Sequence, residues 1–163
     1  MLIHSDRRWG FDVGAGTLWD AIAVVEDYRR WWPWLRGFEA NGLVAGDTWR
    51  CVVQPPLPYT LRFRVSIDEV EPRRLVSATV AGDVTGTARL EIDERDDGCE
   101  ARLVSALSPG NGALRVVTRF AAPIVRFGHD WVLDAGAHQF VDRAVGGSRR
   151  PTAKRPSGRR RPR

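Results

Sequence analysis

Apolar and polar residues alternate along most of the middle of this chain. Leu61, Phe63, Val65 and Ile67 fall on one side of a period-two pattern, with Arg62, Arg64, Ser66 and Asp68 on the other. Val84, Gly86, Ala88, Leu90 and Ile92 oppose Thr85, Thr87, Arg89, Glu91 and Asp93 in the same way. Such alternation predicts strands with one wet face and one covered face. Six strands are predicted between Phe38 and Leu107, at roughly 37–43, 47–54, 60–71, 74–81, 84–93 and 99–108. Turn residues separate them at 45–47, 55–58, 71–73, 82–83 and 96–98. The connections are short, so neighbouring strands should be antiparallel.

Ahead of this block, Trp9 to Val13 alternates as a further strand. Leu18, Trp19, Ile22 and Val25 then lie at helical spacing, with Thr17 as the expected N-cap. A second helical turn, Glu26 to Trp32, should end at Pro33. After the strands, residues 111–145 form the longest helical pattern. At ~100° per residue, Leu114, Val117, Ala121, Ile124, Gly128, Trp131, Ala135 and His138 share one stripe. Pro123 should kink or break this helix, and Leu133 and Phe140 fall off the stripe, through a phase change or a second contact surface. The expectation is an α+β domain in which a six- to seven-stranded antiparallel sheet covers one face with the long helix.

Charge changes this picture at one end. Residues 146–163 hold seven Arg, one Lys and no acid, so they carry +8 against +5 for the whole chain, leaving the rest at −3. A faintly acidic globule over 1–145 therefore precedes a basic tail, whose Pro, Gly, Ser and Arg content predicts disorder. Any nucleic-acid or anionic-surface contact rests on that tail. No run approaches the ~20 apolar residues a membrane helix needs. The N-terminus has no apolar signal region, so the expected location is the cytoplasm.

Candidate chemistry is sparse. Cys51 and Cys99 lie outside any C-x-x-C pair and are expected as reduced, buried hydrophobes. The three histidines are scattered, and Asp134 with His138 is the only pair at i, i+4 spacing, so neither a metal nor a cofactor is expected. There is no dinucleotide fingerprint, phosphate loop or G-x-S-x-G elbow. What stands out is seven Trp against two Tyr and one Met.

The element order, together with Trp19-Asp20-Ala21-Ile22, Asp27-Tyr28, Trp31-Trp32-Pro33, Val70-Glu71-Pro72-Arg73-Arg74-Leu75 and His129-Asp130-Trp131, resembles the START-like superfamily. Within it, the chain is most similar to the bacterial SRPBCC group of polyketide cyclase/dehydrase and lipid-transport proteins. The resemblance spans about 1–145. It implies the helix-grip fold, with a curved sheet around a long helix, an apolar cavity between them, and a lipid- or polyketide-like ligand. No shared catalytic set comes with it.

Residue by residue, the candidate walls of such a cavity are Trp19, Tyr28, Trp31, Trp32, Trp34, Trp49, Tyr59, Phe63 and Trp131, the alternative for each being core filler. Three indoles in Trp31-Trp32-Pro33-Trp34 cannot all share one buried face, so at least one should line an opening or the surface. Tyr28 and Tyr59 could bring a hydroxyl to a ligand's polar end. His138 could serve as hydrogen-bond donor, as general base, or as a core histidine satisfied by a neighbour. Arg50 and Arg62 alternate onto the outer face. Three functions follow: a binder or carrier of an apolar small molecule, a polyketide cyclase/dehydratase with His138 as base, or a nucleic-acid-associated protein acting through its tail.

Overall fold

The computed structural model describes residues 2–54, 60–110 and 140. Seven strands form one sheet: β1 (Ile3–Phe11), β2 (Leu35–Glu39), β3 (Thr48–Val53), β4 (Leu61–Glu71), β5 (Leu75–Gly82), β6 (Val84–Arg95) and β7 (Gly98–Pro109). Their order is β1-β7-β6-β5-β4-β3-β2, and every adjacent pair is antiparallel. Between β1 and β2 lie two short helices, α1 (Ala15–Ala23) and α2 (Tyr28–Trp31), joined by a single 3-10 turn at Val25–Asp27. The sheet curls into a half-barrel with both helices on its inner side.

The predicted strands over the middle of the chain are present, and the alternation sorts their side chains as expected. Arg62, Arg64, Thr87 and Arg89 are exposed, whereas Ile67 and Ile92 are buried. Three boundaries differ. The first strand begins at Ile3 rather than Trp9, because residues 3–8 pair with β7 from Ile3↔Leu107 to Arg8↔Arg102 despite their charge. The second strand runs 35–39 rather than 37–43, because the Asp47 carboxylate gathers the backbone N–H groups of Asn41 (2.9 Å) and Gly42 (3.1 Å) into a loop.

The third difference is the cap of α1. Thr17 stands exposed inside the helix, and Gly14 occupies the N-cap with no side-chain bond. Glu94 on β6 supplies the missing acceptor instead: Ala15 N–H donates to its Oε1 at 2.6 Å. A carboxylate at this end also faces the positive pole of the helix. α2 ends as expected, with Trp32 extended (φ −120°, ψ 90°) before Pro33.

One irregularity positions the core. β4 carries a bulge between Ile67 and Glu69, so that Ile67 pairs with Ala78 while Val70 pairs with Val76. The extra residue, Asp68, accepts a hydrogen bond from Thr79 Oγ1 at 2.8 Å on the outside. It shifts the parity of the strand, returning Val70 to the inner face where simple alternation would have turned it out. The core then joins Leu18 and Trp19 of α1, Tyr28 and Trp31 of α2, and Cys51, Ile67, Ala78, Ile92, Cys99 and Ala101 of the sheet. Phe140, helical and buried, completes it. The rest of the predicted 111–145 helix and the basic tail lie outside the described residues.

Candidate functional site

The two faces of the sheet divide the chemistry between them. Ion pairs cover the outside of β1, β7 and β6. Arg102 holds Asp6 through two bonds of 2.6 and 2.9 Å, Arg8 and Arg95 each reach Glu100 at 3.2 Å, and Arg89 reaches Glu91 at 2.7 Å. The hydrogen bond from Arg102 holds the Asp6 carboxyl below its usual range. Arg50 and Arg62 also lie on this side and are exposed, as the alternation predicts.

On the inner face most strand positions are apolar, the described exceptions being Ser5, Arg7, Glu94 and Ser105. Pairing places Trp49, Phe63, Val65, Val76, Val80, Leu90 and Leu103 toward the helices' side. Glu94 is the only carboxylate among the described inner strand positions, and it is spent on α1. The inner face therefore has no described carboxylate free to act as a base.

Aromatic rings gather at the β2–β3 end, around Tyr28. Its centroid stands 4.9 Å from Trp32, 5.3 Å from Phe38, 5.6 Å from Trp31 and 5.7 Å from Trp49. Trp32 stacks on Trp34 at 5.7 Å and 25°. Phe140 meets Trp31 edge-on at 5.2 Å and Phe11 at 6.1 Å. Each such ring pair contributes ~0.5–1.5 kcal/mol beyond its burial, so this end of the fold is a rigid aromatic wall. Of the three clustered indoles, Trp31 is buried while Trp32 and Trp34 are half-buried, the division that three indoles in four residues require.

The candidate residues now have places. Trp19 is buried on α1 as core. Trp32, Trp49 and Phe63 are half-buried and packed against that core. The Trp49 indole N–H donates to the Gly42 carbonyl at 3.0 Å, leaving the ring face as its contact surface. Tyr28 presents its ring rather than its hydroxyl, because the hydroxyl donates to the Ile22 carbonyl at 2.5 Å. Burial, with Glu26 nearby, raises this phenol far above its ordinary value and removes it from acid–base work near neutrality. Tyr59, Trp131 and His138 lie outside the described residues. Phe38 and Phe140 were not singled out as wall residues. For Phe140 the only trace was its place off the helical stripe.

Cys51 and Cys99 are both free and buried. Burial pushes the Cys51 thiol up to about 12, which makes it an inert core residue. The described residues contain no group of three metal-ligating side chains. Among them, no helix is long and apolar enough to cross a membrane. A hollow of about 540 Å³ opens at the β2 edge; it meets the aromatic wall at Phe38, but Glu26, Arg29, Glu39, Asn41, Thr48 and Arg50 make most of its lining polar.

No family model and no curated protein matches the chain. Solved structures do. An aromatase/cyclase from a Streptomyces species is similar at a TM-score of 0.65 and 15% identity, over 90% of this chain and 99% of the other. Norcoclaurine synthase from Thalictrum flavum, solved with dopamine and hydroxybenzaldehyde, is similar at a TM-score of 0.63 and 11% identity, over 92% and 90% of the two chains. A protein from Mycobacterium smegmatis gives a TM-score of 0.63 and 16% identity, over 90% and 92%. At these identities the likeness is one of fold: the curled antiparallel half-barrel with two short helices expected from the order of elements.

Proposed function

We infer that the chain binds an apolar, ring-containing small molecule against the inner face of its sheet and acts as a binder or carrier. The observation that supports this most is the segregation of side chains: ion pairs on the outer face, and on the inner face half-buried aromatic rings with the single carboxylate committed to a helix cap. Flat, rigid rings offer large contact area at little entropic cost, which suits a planar apolar ligand. Relatives in fold that are cyclases or synthases make an enzyme the second class of function, but the inner strand positions offer no base for it. That reading rests on His138.

The test is titration with N-phenyl-1-naphthylamine. Saturable one-to-one binding with quenching of Trp emission is expected, and Trp32→Ala should weaken it. Dye uptake that never saturates, or none, would overturn the reading. His138→Ala separates the two classes: a carrier loses at most one hydrogen bond, ~0.5–1.5 kcal/mol of affinity, whereas an enzyme using it as base loses roughly two to four powers of ten in rate.

A further inference from the structure

Across the middle of the inner face runs a row of small side chains. Ser5 of β1 stands opposite Ser105 of β7, Ser105 opposite Ala88 of β6, and Ala88 opposite Ala78 of β5. The rows on either side are larger, except at Gly86. Ile3, Leu107, Gly86, Val80, Val65 and Trp49 flank it on one side, and Arg7, Leu103, Leu90, Val76 and Val70 on the other. Four strands thus share a shallow trough, closed at its far end by Ile67 opposite Ala78.

Small residues alone would mean only close packing. The near end of the trough is different, because it is polar. Ser105 is 5% exposed, and both its Oγ and that of Ser5 are buried without a hydrogen-bond partner among the described residues. An unpaired buried hydroxyl is costly, and native proteins rarely keep one that has no task. Here two stand side by side, aimed from adjacent strands onto the same face as the aromatic wall.

We propose that Ser5 and Ser105 form a polar subsite that receives an oxygen substituent of an otherwise apolar ring compound. This rests on the inner-face binding reading and deepens it: the ring system lies along the trough of small residues, and its hydroxyl pairs with the two serines. The ligand class is then phenolic or alcoholic rather than purely hydrocarbon. A hydroxyl can both donate to one serine and accept from the other, and an aliphatic chain can do neither.

The experiment compares 2-naphthol with naphthalene by equilibrium dialysis against the full chain and against Ser105→Ala and Ser5→Ala. The wild type should bind 2-naphthol about threefold to tenfold more tightly, the ratio expected of one hydrogen bond. Each variant should lose that preference, keep its affinity for naphthalene, and melt no lower than the wild type, since the change removes an unpaired hydroxyl. Equal binding of both probes by the wild type would overturn the subsite and leave the apolar pocket standing. Binding of neither would overturn the pocket and the subsite with it. A variant that melts several degrees lower would assign the hydroxyls a partner inside the protein, and that too would overturn the proposal.

Discussion

Glu94→Ala tests how α1 is held. The helix has no side-chain cap of its own and no acid in its first turn, so the Glu94 carboxylate is the acceptor for the Ala15 N–H at 2.6 Å. Removing a capping acceptor costs ~0.5–2 kcal/mol, and loss of charge at the positive pole adds ~0.3–1 kcal/mol. Glu94 is exposed, so solvent screens the charge and the lower part of each range applies. A loss of ~1 kcal/mol is expected. At roughly 2–4 °C per kcal/mol for a chain of this size, the melting temperature should fall by a few degrees. Urea unfolding should show a lower midpoint at unchanged slope. Glu94→Gln keeps an acceptor oxygen without the charge and should lose about half as much. Amide exchange should speed most over α1, whose Leu18 and Trp19 are buried in the core. An alanine variant within ~0.3 kcal/mol of the wild type, or a glutamine variant as damaged as alanine, would refute the cross-strand cap.

Two further outcomes are expected. Gly86 lies within β6 at φ +147°, and a Cβ there would fall on the Ala106 carbonyl oxygen, so Gly86→Ala should lower stability by at least ~2 kcal/mol in urea titration; a near-neutral result would show that the strand can shift. Burial raises the Cys51 thiol from 9.0 to about 12, so the folded state holds this proton more tightly than the unfolded one, and the associated stability is present below pH 9 and lost as pH rises from about 9 to 12. Cys51→Ser unfolded in parallel with the wild type should show a flatter alkaline decline, and identical slopes would refute the assignment.

The strands of the middle of the chain were legible because one face is wet and the other covered. Where that contrast fails, so does the reading. Ser5 and Arg7 occupy inner positions of β1, which breaks the alternation and hid the first half of that strand. Those two positions share the polarity of the inner face with Ser105 and Glu94. The α1 cap was misassigned to Thr17 because the real acceptor, Glu94, is remote in sequence and visible only once β6 folds beside the helix. Val70 returned to the core through a bulge that no periodicity encodes. In the aromatic wall, indole count alone showed that Trp31, Trp32 and Trp34 must divide between buried and half-buried, but not which would be which. Phe38 closes on Tyr28 only because β2 lies over α2, a contact with no local signature.

The strand order also bears on how the chain comes into being. β1 precedes the other described strands, yet its partner among them is β7, and Ile3 cannot pair until Leu107 has emerged about a hundred residues later. At ~5–20 residues per second of synthesis, the first strand waits on the order of 5–20 s, while β2 through β7 can zip together hairpin by hairpin as they appear. During that interval β1 is an unsatisfied edge carrying His4, Asp6, Arg7 and Arg8, and these charges discourage it from pairing with a neighbouring nascent chain. The same residues that obscure β1 as a strand thus protect it on the ribosome, and the last of the described strands to be made is the one that joins β1 to the others.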